Sequence, residues 1–436
     1  MQRASLTMAG GAAALLGGET HCAEPARPEA VSVIQRPRPL KFSADMREGL
    51  TPRRVANAMW DGSWLTQHYP GGAFADFDKA LDELLERGFN AVRIDAFPLV
   101  IGMLGSEKET VTLRGNPLAT WGMSDRDREH VPVRELVQFM GAAKRRDLSV
   151  ILSSWGADCK EYPGRTQALA KDRAGFRKAW QRTLDALGSR DLLGHVLFVD
   201  LDQEFPYFSP FRGELDDLAK KRSAARSVEA AMEEVDQSAQ GLTRMAWKPA
   251  QLDYVRKLFS EMLPSFQARY PRLRFTYSLT AFFKEVRSLG LQLFDVLELH
   301  MFMHSPRLDN RTGFHELAKD RGSHDYKEYA RRLAAALDTM GPMLVQEMEN
   351  RLAFAQAWSA EAAAPVVTTE AWGPWWHMDH PDLDWGWLRD WCEQCMTLAA
   401  KHGLWGVTPW NYSHPYWKNW SDVAWYRKVN QRFLQS

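Results

Sequence analysis

The hydrophobic pattern changes period repeatedly along this chain. From residue 55 onward, short runs of β-branched, aromatic and small residues alternate with longer runs whose apolar positions recur every three or four residues. The first kind predicts buried strands, the second amphipathic helices. Eight strand-like runs stand out: Val55–Trp60, Asn90–Phe97, Ser149–Trp155, His195–Phe205, Arg274–Leu279, Val296–Met303, Pro365–Trp372 and Gly403–Tyr412. Between them lie helical runs at Phe74–Arg87, Pro132–Arg146, Arg173–Leu187, Pro249–Arg269, a short one near Ala281–Leu289, Asp325–Ala362 and Trp385–His402, with a last helix around Asp422–Leu434. The first carries its stripe at Phe77, Leu81, Leu84 and Leu85, and Gly88 is its predicted stop.

Such alternation predicts parallel βα units, and eight of each predict an α/β fold of the (β/α)₈ TIM-barrel type, one domain spanning 55–436. The competing architecture is an open doubly wound sheet. It calls for a glycine-rich turn after an early strand, and no GxGxxG is present. Pro342–Arg351 imitates a strand ending at Glu347 or Glu349, but apolar residues continue at Leu344, Met348, Leu352, Ala355 and Trp358, a helical spacing. The stretch Pro206–Ala246 breaks the regular spacing. Its charged, Ala-rich part Asp216–Gln240 predicts a helical insertion that enlarges the loop after strand four. At the N-terminus, Leu6–Gly18 is an Ala/Gly-rich apolar run, too short to span a bilayer, of the kind found in export signals. Residues 1–23 read as an export signal of twin-arginine style, although only Arg3 precedes the run. Residues 24–54 read as a linker, and the expected location is periplasmic or secreted. No other apolar run is long enough to span a membrane.

Charge and composition narrow the function. Lys+Arg and Asp+Glu are both 55, so no basic excess invites a nucleic-acid partner. The 18 Trp residues fit a carbohydrate partner, because indole faces stack on the apolar faces of sugar rings. Of four Cys, Cys392 and Cys395 share one face of a predicted helix, with no second CxxC to complete a zinc site. They read as free or structural.

Barrel enzymes carry their chemistry at the C-terminal ends of the strands. Those ends offer Trp60 and Asp61, Arg93 and Asp95, Trp155, Gln203 and Glu204 beside Asp200 and Asp202, Tyr277, Glu298 with His300 and His304, Glu370 and Trp372, and Trp410, Asn411 and Tyr412. Trp375 and Trp376 follow strand seven. This is more polar and more aromatic than packing needs. Glycoside hydrolysis requires two carboxyl groups flanking the scissile bond, about 5–5.5 Å apart for retention of configuration. Strands four and seven face each other across a barrel mouth, so Glu204 and Glu370 fit that pair.

The stretches FNAVRIDAF on strand two, DLDQEF on strand four, VTTEAWGPW on strand seven and VTPWNYS on strand eight resemble clan A of the retaining glycoside hydrolases, nearest to the cellulase-like proteins around family five. The resemblance spans roughly residues 55–430. It implies that Glu204 is the acid/base, Glu370 the nucleophile, Arg93 the residue that contacts the nucleophile and lowers its pKa, and Trp410 the platform under the reactive sugar. His300 corresponds to the strand-six His/Tyr position. The clan has Asn immediately before the acid/base, where this chain has Gln203, which bears on the identity of the substrate. The expected function is hydrolysis of a β-linked oligo- or polysaccharide through a covalent glycosyl-enzyme, with a carbohydrate as partner and no metal or organic cofactor. The alternatives are a non-catalytic carbohydrate-binding barrel and a metal-dependent hydrolase. The latter calls for an HxH on strand one, which reads Asn57-Ala58-Met59-Trp60. The loop residues His377, Asp379, His380, Asp382 and Asp384 imitate a metal cluster but read as sugar contacts.

Overall fold

The computed structural model describes residues 53–116, 120–220, 247–279, 289–303, 306–317, 325–375 and 377–436. The chain divides into Met1–Arg38 and Pro39–Ser436, and all described residues belong to the second unit. The expected export signal, nearly all of the linker, the short helix near Ala281–Leu289, most of the insertion after strand four, His304 and Trp376 lie outside the described residues.

Eight parallel strands form the barrel: β1 Val55–Asp61, β2 Ala91–Asp95, β3 Ser149–Ser153, β4 Val196–Asp200, β5 Phe275–Thr276, β6 Leu297–Glu298, β7 Val366–Val367 and β8 Gly406–Val407. Their order in the sheet is β5-β4-β3-β2-β1-β8-β7-β6. A parallel bridge between Leu279 and Leu299 joins the two outer strands and closes the ring. The architecture is the expected (β/α)₈ barrel, and every strand falls inside its predicted run except β1, which extends one residue further, to Asp61. The other seven ladders are shorter than those runs because their C-terminal residues leave the sheet to line the mouth.

Helices cover the outside, as their patterns predict. Phe77–Glu86 starts at Asp76, whose side chain accepts from the Lys79 amide at 3.0 Å. It buries Phe77, Ala80, Leu81 and Leu84 on one stripe, and Gly88, at φ 77, ends it in the left-handed region. Burying Phe77, Leu81 and Leu84 contributes about 1.5–3 kcal/mol each. Tyr326–Ala362 is one helix, so Glu347 and Glu349 sit on a helix and not at a strand end. The sequence pattern did not single out a small antiparallel hairpin, Val111–Leu113 with Arg128–His130, or the short helix Pro98–Met103; the helix Arg212–Lys220 covers the start of the expected helical insertion, four residues earlier than its predicted beginning at Asp216.

Strand alternation sorts the side chains into two environments. Ala56, Ala58 and Trp60 on β1, Val92 and Ile94 on β2, and Phe275 and Tyr277 around β5 all join the core between sheet and helices. The other parity faces the barrel axis. A second cluster of Val55, Ala91, Ile151, Phe198, Val296 and Val367 fills the floor of the barrel. Two residues further along each strand the inward positions turn polar: Asn57, Arg93, Ser153, Asp200, Glu298 and Thr369, all buried. The floor is thus an ordinary apolar barrel core, and the polar layer above it is the platform for the site.

Candidate active site

Arg93, fully buried on β2, organises the centre. Its Nε and Nη2 donate to the two oxygens of Asp61 at 2.9 and 3.0 Å, Nη2 also donates to Oε1 of Glu370, and Nη1 donates to Thr369 Oγ1. Asp61 reaches this position through an irregularity. The β1/β2 register runs Met59 to Arg93 and then skips to Asp61 opposite Ile94, with Asp61 at φ 39. A bulge of this kind re-aims a side chain at the cost of local backbone strain. Asp61 Oδ2 also accepts from the indole N–H of Trp155 at 2.9 Å.

Glu204 is held in a similar way. It stands at φ 53, another left-handed position for a residue with a Cβ. Its amide donates to Ser278 Oγ at 2.9 Å, the amide of Gln203 donates to the Ser154 carbonyl at 3.1 Å, and that of Phe205 to the Ser278 carbonyl at 2.8 Å. The neighbouring strands therefore clamp this turn from both sides. At strand seven, the Glu370 carbonyl accepts from the Met301 amide at 2.9 Å and from Thr368 Oγ1 at 2.8 Å.

Between the two carboxyl groups lies His300. Its Nδ1 is 2.9 Å from Glu204 Oε1 and 3.7 Å from Glu370 Oε2, and its Nε2 is 3.1 Å from Glu298 Oε2. A carboxyl oxygen of Glu204, one of Glu370 and a ring nitrogen of His300 all lie within 4.8 Å of one another. Such a trio has the reach to share a cation, but the groups already around it do not suit one. The Arg93 guanidinium sits on Glu370, and both ring nitrogens of His300 face carboxylates, which favours the protonated ring over the neutral ligand form.

Burial dominates the electrostatics. It raises the pKa of Glu204, with the His300 hydrogen bond opposing and the nearby Glu370 charge adding. Burial also raises Glu370, against the pull of His300 and Arg93. The expectation that Arg93 lowers the nucleophile's pKa holds for the sign of its own contribution but not for the net direction, because almost no solvent reaches the group. Burial opposes the Arg93 charge as well, but Asp61, Glu370 and Glu298 more than offset it, so Arg93 is firmly protonated.

The structure gathers Asp61, Arg93, Trp155, Glu204, His300 and Glu370 into one cluster. Gln203 adjoins it, buried, with neither atom of its amide hydrogen-bonded among the described residues. The remaining expected contacts fare differently. Asp95 spends both oxygens on backbone amides, Phe97 at 2.7 Å and Trp155 at 3.1 Å, so it braces the loops and does not reach for a sugar. Trp60 is a correction: it lies on the outer parity of β1, donates to the Ser413 carbonyl at 3.1 Å and packs edge-on against Phe74, Phe139 and Trp420. Tyr277 is another, its ring against Phe259 and Phe205 in the helix layer. Trp372 is wholly buried and donates to the Thr408 carbonyl at 2.9 Å. Trp410 is also wholly buried, with Gly373 against its ring, so it presents no exposed platform. Asn411 accepts from the Ala371 amide at 2.9 Å and ties strand eight to strand seven. Trp375 remains half-buried, against Phe314. The loop group disperses: His377 caps the Asp384 carbonyl at 2.8 Å and Asp379 accepts from the backbone of Lys418 and Asn419.

Sequence reasoning passed over Phe208, 52% exposed and edge-on to Trp155 at 5.4 Å, which makes an aromatic rim above Asp61. Thr369 was also passed over, though it links Arg93 to Glu298. The i,i+2 step from Val367 was the available signal for Thr369, whereas Phe208 lies in a loop with no periodicity. Cys159, Cys392 and Cys395 are free and buried, as expected of structural thiols. No described helix is long and apolar enough to cross a membrane.

Comparison with known proteins bears on the family and the fold. The profile of the family described as sugar-binding cellulase-like matches residues 57–434. Among solved structures, a candidate glycoside hydrolase from Parabacteroides distasonis superposes with a TM-score of 0.70 at 24% identity, covering 87% of this chain and 93% of its own. A family 5 mannosidase from Rhizomucor miehei gives a TM-score of 0.48 at 11% identity, covering 88% and 93%. No curated protein matches the chain significantly.

Proposed function

This chain belongs to the sugar-binding cellulase-like family, and from that premise we propose that it is a retaining glycoside hydrolase acting on a β-linked oligo- or polysaccharide. One observation carries the reading. Glu204 and Glu370 stand at the ends of strands four and seven with carboxyl oxygens within 4.8 Å, close to the spacing of about 5–5.5 Å for retention and short of the 6.5–9.5 Å or so that admits a water for inversion.

In this mechanism Glu370 attacks the anomeric carbon while Glu204 donates its proton to the departing oxygen. Glu204 then takes a proton from water, which releases the sugar from Glu370. The environments suit these roles. Glu370 is bonded to Arg93, which favours its ionised form, whereas burial and the neighbouring Glu370 charge favour the protonated form of Glu204. Trp155 and Phe208 supply stacking surface at the rim. The buried amide of Gln203, without a hydrogen-bond partner among the described residues, would bond a sugar hydroxyl, in the position where clan relatives use Asn. We further propose that the protein is exported, on the strength of the apolar run Leu6–Gly18.

The test is chemical. Glu370→Ala should lose nearly all turnover on an aryl β-glycoside, and added azide should restore it, releasing the glycosyl azide of opposite anomeric configuration by NMR. Sugar binding by the native chain with no turnover on any glycoside would favour the non-catalytic alternative.

A further inference from the structure

The cluster holds more carboxyl groups than a double displacement uses. Glu298, on β6, is fully buried and takes no part in the proposed reaction. Its Oε1 accepts from the Thr369 amide at 2.9 Å and from the Thr369 hydroxyl, and its Oε2 lies 3.1 Å from His300 Nε2. The opposite ring nitrogen lies 2.9 Å from Glu204 Oε1. A neutral imidazole has one N–H and satisfies both carboxyl groups only when Glu204 is protonated and itself donates to Nδ1, whereas an imidazolium offers an N–H to each in either state of Glu204. Nη1 of Arg93 also reaches Nε2, at 3.3 Å, as a donor that only an unprotonated Nε2 would accept, but its shorter bond goes to Thr369, and Glu298 Oε2 at 3.1 Å is the nearer group on that nitrogen, as an ion-pair contact.

Charge balance points the same way. The groups around His300 are Asp61 on β1, Arg93 on β2, Asp200 and Glu204 at β4, Glu298 on its own strand and Glu370 after β7. With Asp61, Glu298 and Glu370 ionised, Arg93 alone would leave two negative charges uncompensated where water scarcely reaches. A charged His300 leaves one.

We propose that Glu298 is a positioning residue that holds His300 as an imidazolium, the counter-charge set between the two catalytic carboxyl groups. Its link to turnover rests on the roles proposed for Glu204 and Glu370; the charge state of His300 does not. Burial would lower the pKa of this histidine, but Glu298, Glu370 and the hydrogen bond to Glu204 raise it well above its ordinary value. Glu298 itself stays ionised, because His300, Arg93 and Thr369 outweigh its burial and lower its pKa. The imidazolium does two things. It favours the ionised form of Glu370 in the first step, and it stabilises the carboxylate left on Glu204 once that residue has given up its proton.

The experiment is ¹⁵N-histidine NMR of the full-length chain, with the His300 signals assigned by their loss in His300→Gln. At about pH 7, both ring nitrogens of His300 should be protonated in the native protein, and Glu298→Gln should lower the pKa of this ring by about one unit or more. In the same variant, kcat/KM should fall at pH values between the native and the variant ring pKa, where the native His300 keeps its charge and the variant's has lost it, and the acidic limb, where both rings are charged, should not move to higher pH. If Glu298→Gln does not fold, Glu298→Asp, which withdraws the charge by one methylene, must lower the pKa of the ring in the same sense. A neutral His300 at pH 7 in the native protein overturns the proposal, as does a pKa unmoved in the Glu298 variant. Absence of turnover in the native protein would overturn the hydrolase reading and leave the NMR result to judge Glu298 alone.

Discussion

At the scale of single residues, the two carboxyl groups proposed as catalytic and the tryptophans call for different tests. Glu204→Gln cannot donate a proton to the leaving group. Its kcat on an unactivated glycoside should fall by about 10²–10⁴-fold, with a much smaller loss of the first step on a glycoside whose leaving group needs no proton. Comparable losses on both would remove Glu204 from the acid/base role. Trp155 and Trp410 should separate cleanly. Trp410 has no exposed surface, so Trp410→Ala should cost about 3–5 kcal/mol, read as a lower midpoint in urea. Trp155 is half-buried beside the exposed Phe208, and its N–H is bonded to Asp61. Trp155→Phe should therefore raise KM with a small change in stability, visible in steady-state kinetics beside a thermal melt.

At the scale of elements, the segment after Glu370 is pinned to the helix that follows it. A Cβ on Gly373 would lie 2.4 Å from Leu388 Cδ1 and 3.1 Å from the Trp410 ring. Leu388 belongs to the helix Gly386–Lys401, whose inner face also carries Trp391, Cys392 and Cys395. Trp391 in turn donates to the Trp372 carbonyl at 3.0 Å. Gly373→Ala must displace the Leu388 side chain, the Trp410 ring or the segment itself within a packed core, at a cost of about 1–3 kcal/mol. Where the segment itself shifts, the displacement reaches Glu370 three residues away, and kcat/KM should fall together with the melting temperature. A variant that melts lower but keeps full kcat/KM would show that the strand end tolerates the shift.

At the scale of the whole molecule, the buried titratable groups give a specific dependence of stability on pH. Burial raises Asp95 and Asp202 from 3.8 to about 7. Between those values the folded chain binds more protons than the unfolded one, so stability falls as pH rises from about 4 to about 7 and levels off above that. His377 and His414 act in the opposite sense. Burial lowers them from 6.5 to about 4 and about 3, so stability is lost as pH falls below about 6.5. Asp202 is the simpler handle, since its Oδ2 has no hydrogen-bond partner among the described residues. Asp202→Asn should gain stability relative to the native chain between pH 5 and pH 8, by an amount of order a few kcal/mol, measured by urea unfolding at the two pH values. An unchanged difference between the two would mean that Asp202 titrates normally in the folded protein.

The sequence by itself determined the element types, the strand count and therefore the barrel, because period 2 and period 3.6 leave separate marks on a chain that must bury one face of every element. It also placed Glu204, Glu370, Arg93 and His300 at strand ends, where a parallel barrel opens. Part of the rest was legible but passed over: Trp60 shares its parity with Ala56 and Ala58, and Tyr277 with Phe275, so both had to face the helices. Tertiary structure alone decided the remainder. A one-residue slip in the β1/β2 register and left-handed turns at Asp61 and Glu204 aim side chains that propensity leaves undirected. The burial of Trp372 and Trp410 depends on Gly373, Leu388 and Thr408 arriving from other elements. The protonation of Glu204, Glu298, His300 and Glu370 depends on distances between strands four, six and seven. Periodicity specifies which face a residue takes within its own element; the electrostatics of a buried site depend on what the other elements bring to that face.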